Sequence, residues 1–381
     1  MIKIKLRKDL IYLLILFIVT FLSNVESIMI VYAQTGFGFY IPYIILFLKT
    51  LGTIIGGLAL YLYHINSFRK KKVTNYFRLD IIHNQAILLK TQDGYLKKII
   101  LIFFAGFFDF YQFILANFYA KSSASVIIGS KIPCIITIAS SLICIYALRF
   151  KIGKHHKFSL IGLSICFCLT LIIEIIYYKP EDDSIGIFLL ALFSSILYHI
   201  SISFTDCVER YLVDYNFLNP FKVLMLEGII EFIMSIFYSI NKDPFNELIL
   251  IYKTSSTGQF ILLICLLILY FLLNGTESVY KIYCNCYYSP MAKSLTQYFL
   301  NPFFNIYYLL SNKDFQNNYF HFCITELICI FVDFFCCVYN EYLILTCCGL
   351  EYNTKDEISE RALLSEMDNV NIEDDDEIGN E

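Results

Sequence analysis

"YSPMAKSLTQYFLNP", residues 288–302, is a polar stretch within a long run of apolar residues. It carries Lys293, Gln297 and Asn301 at intervals of four, so the three side chains share one face of a helix. A charged side chain at the centre of a membrane helix costs about 2.5–3.5 kcal/mol, so such residues usually face a cavity or a partner. The stretch therefore predicts a polar face on a membrane helix.

The composition of the whole chain is typical of a membrane protein. Of its 381 residues 58% are hydrophobic and only 16% are charged, whereas average soluble domains carry about 25% charged residues. Several apolar runs exceed the ~18 residues that mark a transmembrane helix. We predict an all-α polytopic membrane protein with ten helices in the lipid bilayer. They are expected at roughly 10–33, 40–65, 97–119, 124–148, 158–178, 185–206, 221–240, 259–282, 288–310 and 320–347.

The charged residues outside these runs predict the orientation of the chain. Basic clusters occur at the N-terminus, at 68–72 and at 149–157. Because cytoplasmic loops are enriched in Lys and Arg, we expect both termini and the loop 66–95 in the cytoplasm. The acidic segment 351–381 is expected to be a disordered cytoplasmic tail. The charges are segregated and the formal net charge is only −4, so no nucleic-acid partner is expected.

Ten helices divide into two units of five, expected at 1–178 and 185–348. Because five is odd, the two units must have opposite orientations, as in the inverted repeats of many transporters. "YAKSSASVIIGSKIP" (119–133) echoes the opening stretch, since both begin with Tyr and end with Pro 14 residues later. Pro133 and Pro302 are predicted hinges, with a static kink as the alternative.

Two lysines fall at matching places in the two halves. Lys131 and Lys293 together would make a positive central site, which suits an anionic solute such as a phosphate, a nucleotide or a carboxylate. The alternative is that each lysine pairs with an acid, for instance Lys131 with Asp109. The further residues expected at the substrate site are Asp109 and the neutral Gln112, Gln297 and Asn301.

Several acids also fall inside the predicted helices. Glu227 and Glu231 are four residues apart, and Asp333 lies in the last helix. Buried carboxyl groups in a membrane often carry protons, so these three are candidates for proton coupling. Exchange of one solute for another would need no proton carrier. Glu26 and Lys49 also lie within predicted helices, but the sequence assigns them no role.

No catalytic set appears in the sequence. Cys284-x-Cys286 has no nearby His and no second Cys pair, so a zinc site is not expected. There is no phosphate-binding glycine loop and no Ser/His/Asp order. His155 and His156 fall in a basic segment, where we expect them to be solvated. We expect no enzyme activity, no metal and no cofactor.

Two segments resemble a known family. Residues 117–173 are similar to helix 4, the basic loop and helix 5 of the drug/metabolite transporter superfamily (EamA-like, with the nucleotide-sugar-transporter fold). "VERYLVDYNFLNPFKVLMLEG" (208–228) resembles the segment after helix 6 in the orphan F branch of solute carrier family 35, near its sixth member. The matching residues there are Glu209, Arg210, Pro220, Glu227 and Gly228. Where the family often has Arg followed by Gly, this chain has Lys131 followed by Ile132.

The resemblance implies a secondary transporter of endomembranes (Golgi, endoplasmic reticulum or a lysosome-like compartment) that works by alternating access. Helices 4 and 9 would line its central site, and its substrate is a small molecule of unknown identity. The alternative is a non-transporting membrane scaffold whose docking surfaces are the loop 66–95 and the acidic tail. Gly52-xxx-Gly56 suggests a homodimer groove, with ordinary internal packing as its alternative.

Overall fold

The structure is a computed structural model of the chain. It describes residues 2–4, 11–37, 41–69, 94–119, 132, 134–147, 152–177, 184–240, 244–311, 319–345, 349–350 and 354. Lys131, Pro133, most of the loop 66–95 and nearly all of the acidic tail lie outside these residues, and so do the predictions made for them.

Within the described residues the chain forms eleven helices and two short strands. The elements are β1 (Ile2–Ile4), α1 (Ile11–Phe37), α2 (Pro42–Arg69), α3 (Tyr95–Tyr119), α4 (Cys134–Tyr146), α5 (Lys154–Ile176), α6 (Ile185–Asp214), α7 (Pro220–Ser239), α8 (Pro244–Thr254), α9 (Thr257–Tyr287), α10 (Pro290–Ser311), α11 (Tyr319–Tyr339) and β2 (Leu343–Leu345). Ten of the helices correspond to the ten predicted runs, and the short α8 was not predicted.

Seven helices are long and apolar enough to cross a membrane, so the protein is an integral multi-pass membrane protein. These are α1, α2, α3, α5, α6, α9 and α11. Two further described helices have 20 or more residues. Over 20 residues α7 carries Lys222, Glu227 and Glu231, and α10 contains the opening polar stretch with Lys293. Both of these helices therefore carry predicted site groups.

Helices α2 and α7 pack against each other in antiparallel directions. Near the start of α2, the ring of Phe47 lies 5.7 Å from that of Phe232 near the end of α7. Towards the end of α2, a Cβ on Gly57 would lie 3.0 Å from the carbonyl oxygen of Phe221, at the start of α7. Asn219 caps α7 by accepting a hydrogen bond from the Phe221 N–H (2.9 Å), and Pro220 occupies the first turn.

Close backbone contacts join α2 to α9 and α3 to α7. A Cβ on Gly52 would meet the Phe271 carbonyl oxygen at 2.8 Å, and one on Gly275 would meet the Gly52 carbonyl oxygen at 2.8 Å. A Cβ on Gly106 of α3 would lie 2.8 Å from the Glu227 carbonyl oxygen of α7. The Gly52 side of α2 therefore packs inside the chain, which is the alternative to the homodimer groove, and the homodimer remains a prediction without that support.

The two strands pair antiparallel, with Ile2 opposite Leu345 and Ile4 opposite Leu343. The segment before α1 and the segment after α11 therefore lie at the same end of the helix array. The last predicted run extended to residue 347, but α11 ends at Tyr339 and Glu341 turns the chain with φ of 60°. The apolar residues after this turn belong to β2, which periodicity alone does not separate from a helix end.

Two other predictions at helix ends were wrong. Helix α6 continues to Asp214, eight residues beyond the predicted end at 206. Polar groups within this extension face neighbouring helices, so their polarity did not mark a loop. Helix α5 begins at Lys154, so His155 lies in its first turn and is buried, with only 3% of its surface exposed. It is therefore not the solvated loop residue that its basic neighbours suggested.

Candidate functional site

The first group of charges centres on Lys49 of α2, whose side chain is half-buried like that of Asp109. Its Nζ lies 2.7 Å from Oε1 of Glu231 on α7 and 3.5 Å from Oδ2 of Asp109 on α3. The Glu231 side chain is 1% exposed. The antiparallel packing of α2 on α7, with α3 beside α7, brings the three side chains together. One lysine thus holds two carboxylates from two other helices.

The second group centres on Lys293, the lysine of the opening stretch. Its Nζ on α10 forms an ion pair with Oδ1 of Asp206 on α6, and both side chains are largely buried. Of the two outcomes predicted for this lysine, a partner or a cavity, the structure shows a partner. The partner of Lys293 is Asp206 on α6.

A buried asparagine on α9 connects this pair to a second acid of α6. The Asn285 amide donates hydrogen bonds to Oε2 of Glu209 (2.7 Å) and to the Asp206 carbonyl oxygen (2.8 Å). The Glu209 carboxyl in turn faces that of Glu227 on α7. Two carboxyl groups from different helices therefore meet inside the protein.

Arg210 fixes the end of α9 against α6. Its guanidinium donates to the carbonyl oxygens of Tyr288 (2.8 Å) and Asn285 (3.2 Å), and to Oδ2 of Asp214 (2.9 Å). A cation at the last carbonyls of a helix satisfies acceptors that have no partner within the helix. Because Arg210 follows Glu209 in sequence, these hydrogen bonds help to position the contact between Glu209 and Asn285.

The two groups form one network, which we call the central cluster. Electrostatic interactions join Asp109 of the first group to Asp206 and Glu209 of the second. The central cluster comprises Lys49, Asp109, Asp206, Glu209, Glu227, Glu231, Asn285 and Lys293. It draws on α2, α3, α6, α7, α9 and α10, so both halves of the chain contribute.

The central cluster contains some of the predicted site residues and leaves others apart. It brings together Asp109, Glu227, Glu231 and Lys293. Asp109 has Lys49 as its partner, whereas the sequence suggested Lys131, which lies outside the described residues. Asp333 is on α11 and interacts with Glu326 rather than with the central cluster.

For the predicted neutral site residues and Pro302, the structure gives a position but no role. Gln112 on α3 and Asn301 on α10 are half-buried, and Asn301 has interaction partners of its own. Pro302 lies inside α10 and is also half-buried. Gln297 lies in α10 as predicted, but its side chain is outside the described residues.

Sequence reasoning missed four members of the central cluster. Asp206 and Glu209 fell at or beyond the predicted end of the sixth helix, and Asn285 fell beyond the predicted end of the eighth. The usable signal was the apolar pattern Leu212-Val213, which continues the helix past the acids. Lys49 was seen inside a helix, but its pairing depends on which helices pack against α2, which periodicity does not reveal.

Two further buried acid–base pairs lie at opposite ends of the α5–α11 pair, and we call them the end pairs. His155 Nε2 lies 3.3 Å from Oε1 of Glu341, and His321 Nε2 lies 3.2 Å from Oε1 of Glu174. The start of α5 thus meets the end of α11 and the reverse, so these two helices are antiparallel. The ring of Tyr177 stacks on His321, with centroids 4.4 Å apart.

One of the end pairs has the side chains to hold a metal ion. The ligand atoms of His155, His156 and Glu341 lie within 4.8 Å of one another. However, Nδ1 of His156 already accepts a hydrogen bond from the Gly153 N–H (3.1 Å), which caps the start of α5. That bond fixes the tautomer with the proton on Nε2, so ligation through either nitrogen would disturb the cap. The arrangement therefore favours helix capping over metal binding.

Comparison with known proteins identifies no similar family for this chain. No family model matches it, and no curated protein matches it.

Proposed function

We propose that this chain is a secondary transporter that moves a small solute across an endomembrane by alternating access. The observation that carries the proposal is the central cluster, in which charges from five helices meet inside a multi-pass membrane protein. Ionisable residues inside membrane helices are costly and usually mark solute or ion pathways. In transporters built from repeats, such sites lie between the repeats.

The helix packing supports two units of five. Leaving α8 aside, α1–α5 form the first unit, and α6, α7, α9, α10 and α11 form the second. The counterparts are then α1 and α6, α2 and α7, α3 and α9, α4 and α10, and α5 and α11. When each helix is replaced by its counterpart, the α3–α6 contact becomes α9–α1, the α2–α9 contact becomes α7–α3, and the α4–α6 contact becomes α10–α1. All six of these contacts are present. The contacts α2–α7, α4–α10 and α5–α11 map onto themselves and are also present.

The end pairs support the same relation at the level of side chains. His155 and His321 lie near the starts of α5 and α11, which are counterparts, and Glu174 and Glu341 lie near their ends. Each histidine therefore meets the acid of the other unit. A reciprocal arrangement of this kind is expected for two units of opposite orientation.

The paired strands support an even number of crossings. Because Ile2–Ile4 and Leu343–Leu345 lie side by side, the chain enters α1 and leaves α11 on the same side of the membrane. Ten crossings satisfy this condition. They require α4, α7 and α10 to cross together with the seven apolar spans. The cytoplasmic location of both ends follows from the basic loops and is part of the proposal.

The resemblance to the orphan F branch of solute carrier family 35 gains a physical explanation. Glu209 and Glu227, which carry that resemblance, face each other in the central cluster. Arg210 positions the first of them, and Pro220 begins the helix that carries the second. The expectation of an anionic solute is less well supported, because Lys293 is paired with Asp206.

A ligand screen tests the proposed function. The purified protein is heated in the presence of nucleotides, nucleotide sugars, phosphorylated sugars, organic anions and organic cations. A ligand at 100 times its dissociation constant should stabilise the protein by about 2.7 kcal/mol. Each ligand found is then tested for uptake into sealed vesicles that contain the protein. If a well-folded sample binds and takes up no solute, the proposal is wrong, and the scaffold alternative is tested with partners of the acidic tail.

A further inference from the structure

We propose that the central cluster binds an organic cation and exchanges it for a proton held between Glu209 and Glu227. This inference rests on the proposed transport function and names the class of its solute. It reverses the sequence-based expectation of an anion.

The balance of charges is the first argument. Among the described residues, the central cluster has five carboxyl groups, on Asp109, Asp206, Glu209, Glu227 and Glu231, and two lysines, Lys49 and Lys293. Two of the acids share Lys49, and one is paired with Lys293. Lys131 lies outside the described residues, and its single charge would still leave the acids in excess. An anion would add to this excess, whereas a cation would reduce it.

The hydrogen bonds of the central cluster point the same way. Four of its buried oxygens have no hydrogen-bond partner among the residues that the structure describes, namely Asp206 Oδ2, Glu227 Oε1, Glu231 Oε2 and Asn285 Oδ1. Glu227 is 5% exposed and Glu231 and Asn285 are fully buried. All four atoms are acceptors, and a buried acceptor without a donor costs about 1–3 kcal/mol. A ligand with positive charge and N–H donors complements these oxygens.

The chemistry of these acceptors favours an organic cation over an inorganic one. Ca²⁺ and Mg²⁺ prefer shells of six or more oxygens, whereas four acceptors without a donor among the described residues suit a cation that carries N–H groups.

When no cation is bound, one proton reduces the surplus of five carboxylates over two lysines from three negative charges to two. Two carboxylates that face each other in a membrane interior are stabilised when they share a proton. Binding of the cation then breaks one O–H bond, the proton leaves to water, and the carboxylate it leaves faces the cation. The total charge of the central cluster stays the same. The ionisable and polar groups around Glu209 and Glu227 are Lys49 on α2, Asp109 on α3, Asp206 on α6, Glu231 on α7, Lys281, Asn285 and Cys286 on α9, and Lys293 on α10.

The test uses the full chain in sealed vesicles that hold a pH-sensitive dye and an acidic lumen. The probes are alkylguanidinium ions, which carry N–H donors and stay protonated at the pH of the assay, so they do not cross the bilayer as neutral bases. External addition should make the lumen alkaline as cations enter and protons leave. Glu227→Gln should lose this signal. Glu174→Gln changes an equally buried acid outside the central cluster and should keep it.

Foldedness of each variant is checked by its elution volume and thermal unfolding. If Glu227→Gln does not fold, Glu209→Gln takes its place, because its amide oxygen still accepts the hydrogen bond from Asn285. Competition for uptake by the wild-type protein gives a second test. Other cations should reduce the uptake of the probe, and anions should not. Uptake of anions but not of cations would overturn this inference and leave the transport function standing. Absence of uptake for every solute would overturn both.

Discussion

Acids are buried in several places, and two of these regions treat them differently. In the end pairs of α5 and α11, each glutamate faces one histidine, at 3.3 Å and 3.2 Å. In the central cluster, five carboxyl groups share two lysines. Both regions are buried and both join the two halves of the chain, so burial alone does not explain the difference.

The comparison separates structural from functional charges. A buried acid with its own base needs nothing more, and its contribution is to hold two helices in register. A buried acid without a base must be balanced by a proton or by a bound cation, both of which can come and go. The surplus of carboxyl groups over lysines therefore indicates that protons or cations bind to and leave the central cluster.

The largest effect is expected from removal of Lys293. Lys293→Met leaves Asp206 buried without its base and increases the surplus of acids, so it should cost about 3–5 kcal/mol of stability. The measurement is thermal unfolding of the purified protein in detergent. Adding Asp206→Leu to this variant should restore much of the loss, because the pair is then replaced by apolar side chains.

Lys281→Met is the matched control for Lys293→Met. It also breaks an intramembrane lysine–glutamate contact, to Glu277 at 2.6 Å, but the Lys281 side chain is 48% exposed and the pair is local to α9. The expected cost is smaller than that of Lys293→Met, because water reaches the lysine, but larger than that of an exposed pair, because Glu277 is only 9% exposed and loses its base. Equal losses of stability in the two lysine variants would mean that the ion pair of the central cluster stabilises the protein no more than a pair within one helix.

The sequence reveals the membrane class and the positions of ten helices because these depend on local hydropathy. It also indicates that Lys293, Glu227, Glu231 and Asp109 need partners, because a charge within an apolar run is costly wherever it lies. The identity of those partners depends on packing between helices that are distant in sequence. That is why Asp109 was assigned to Lys131 and not to Lys49.

The ends of the helices account for the remaining differences. The sixth helix was predicted to end at residue 206, so Asp206 and Glu209 fell at or beyond its end. Here the helix continues past them, since Lys293 and Asn285 on neighbouring helices satisfy their charges and hydrogen bonds. His155 was misplaced for the related reason that its basic neighbours masked the start of α5.

A middle-sized effect is expected from added methyl groups, which test packing without changing charge. Gly106→Ala presses on the Glu227 backbone, because its Cβ would lie 2.8 Å from that carbonyl oxygen. The expected cost is about 1–3 kcal/mol. Gly162→Ala, between α5 and α11, meets the Phe335 ring, which can rotate away, and should cost less.

Gly186→Ala is the control, since nothing lies within 4 Å of its Cβ position. It should leave the unfolding temperature unchanged or slightly raised. A larger loss from Gly162→Ala than from Gly106→Ala would show that the end pairs, and not the central cluster, have the tighter backbone packing.

The smallest effect is expected when a single glutamate is replaced by glutamine, and the two regions should differ in whether stability falls or rises. Glu174→Gln removes the charge that faces His321 while the amide oxygen still accepts a hydrogen bond, so it should lower stability by about 1 kcal/mol. Glu227→Gln replaces the carboxyl that shares a proton with Glu209 by an amide that donates an N–H to Glu209 without taking up a proton, so it should raise stability by a similar amount. Unfolding temperatures of the two variants, measured side by side, give the answer. If both fall equally, Glu227 has a base of its own like Glu174, and the distinction between end pairs and central cluster is lost. If they move in opposite directions, the acid surplus is real in solution, and it is this surplus that a transported cation would neutralise.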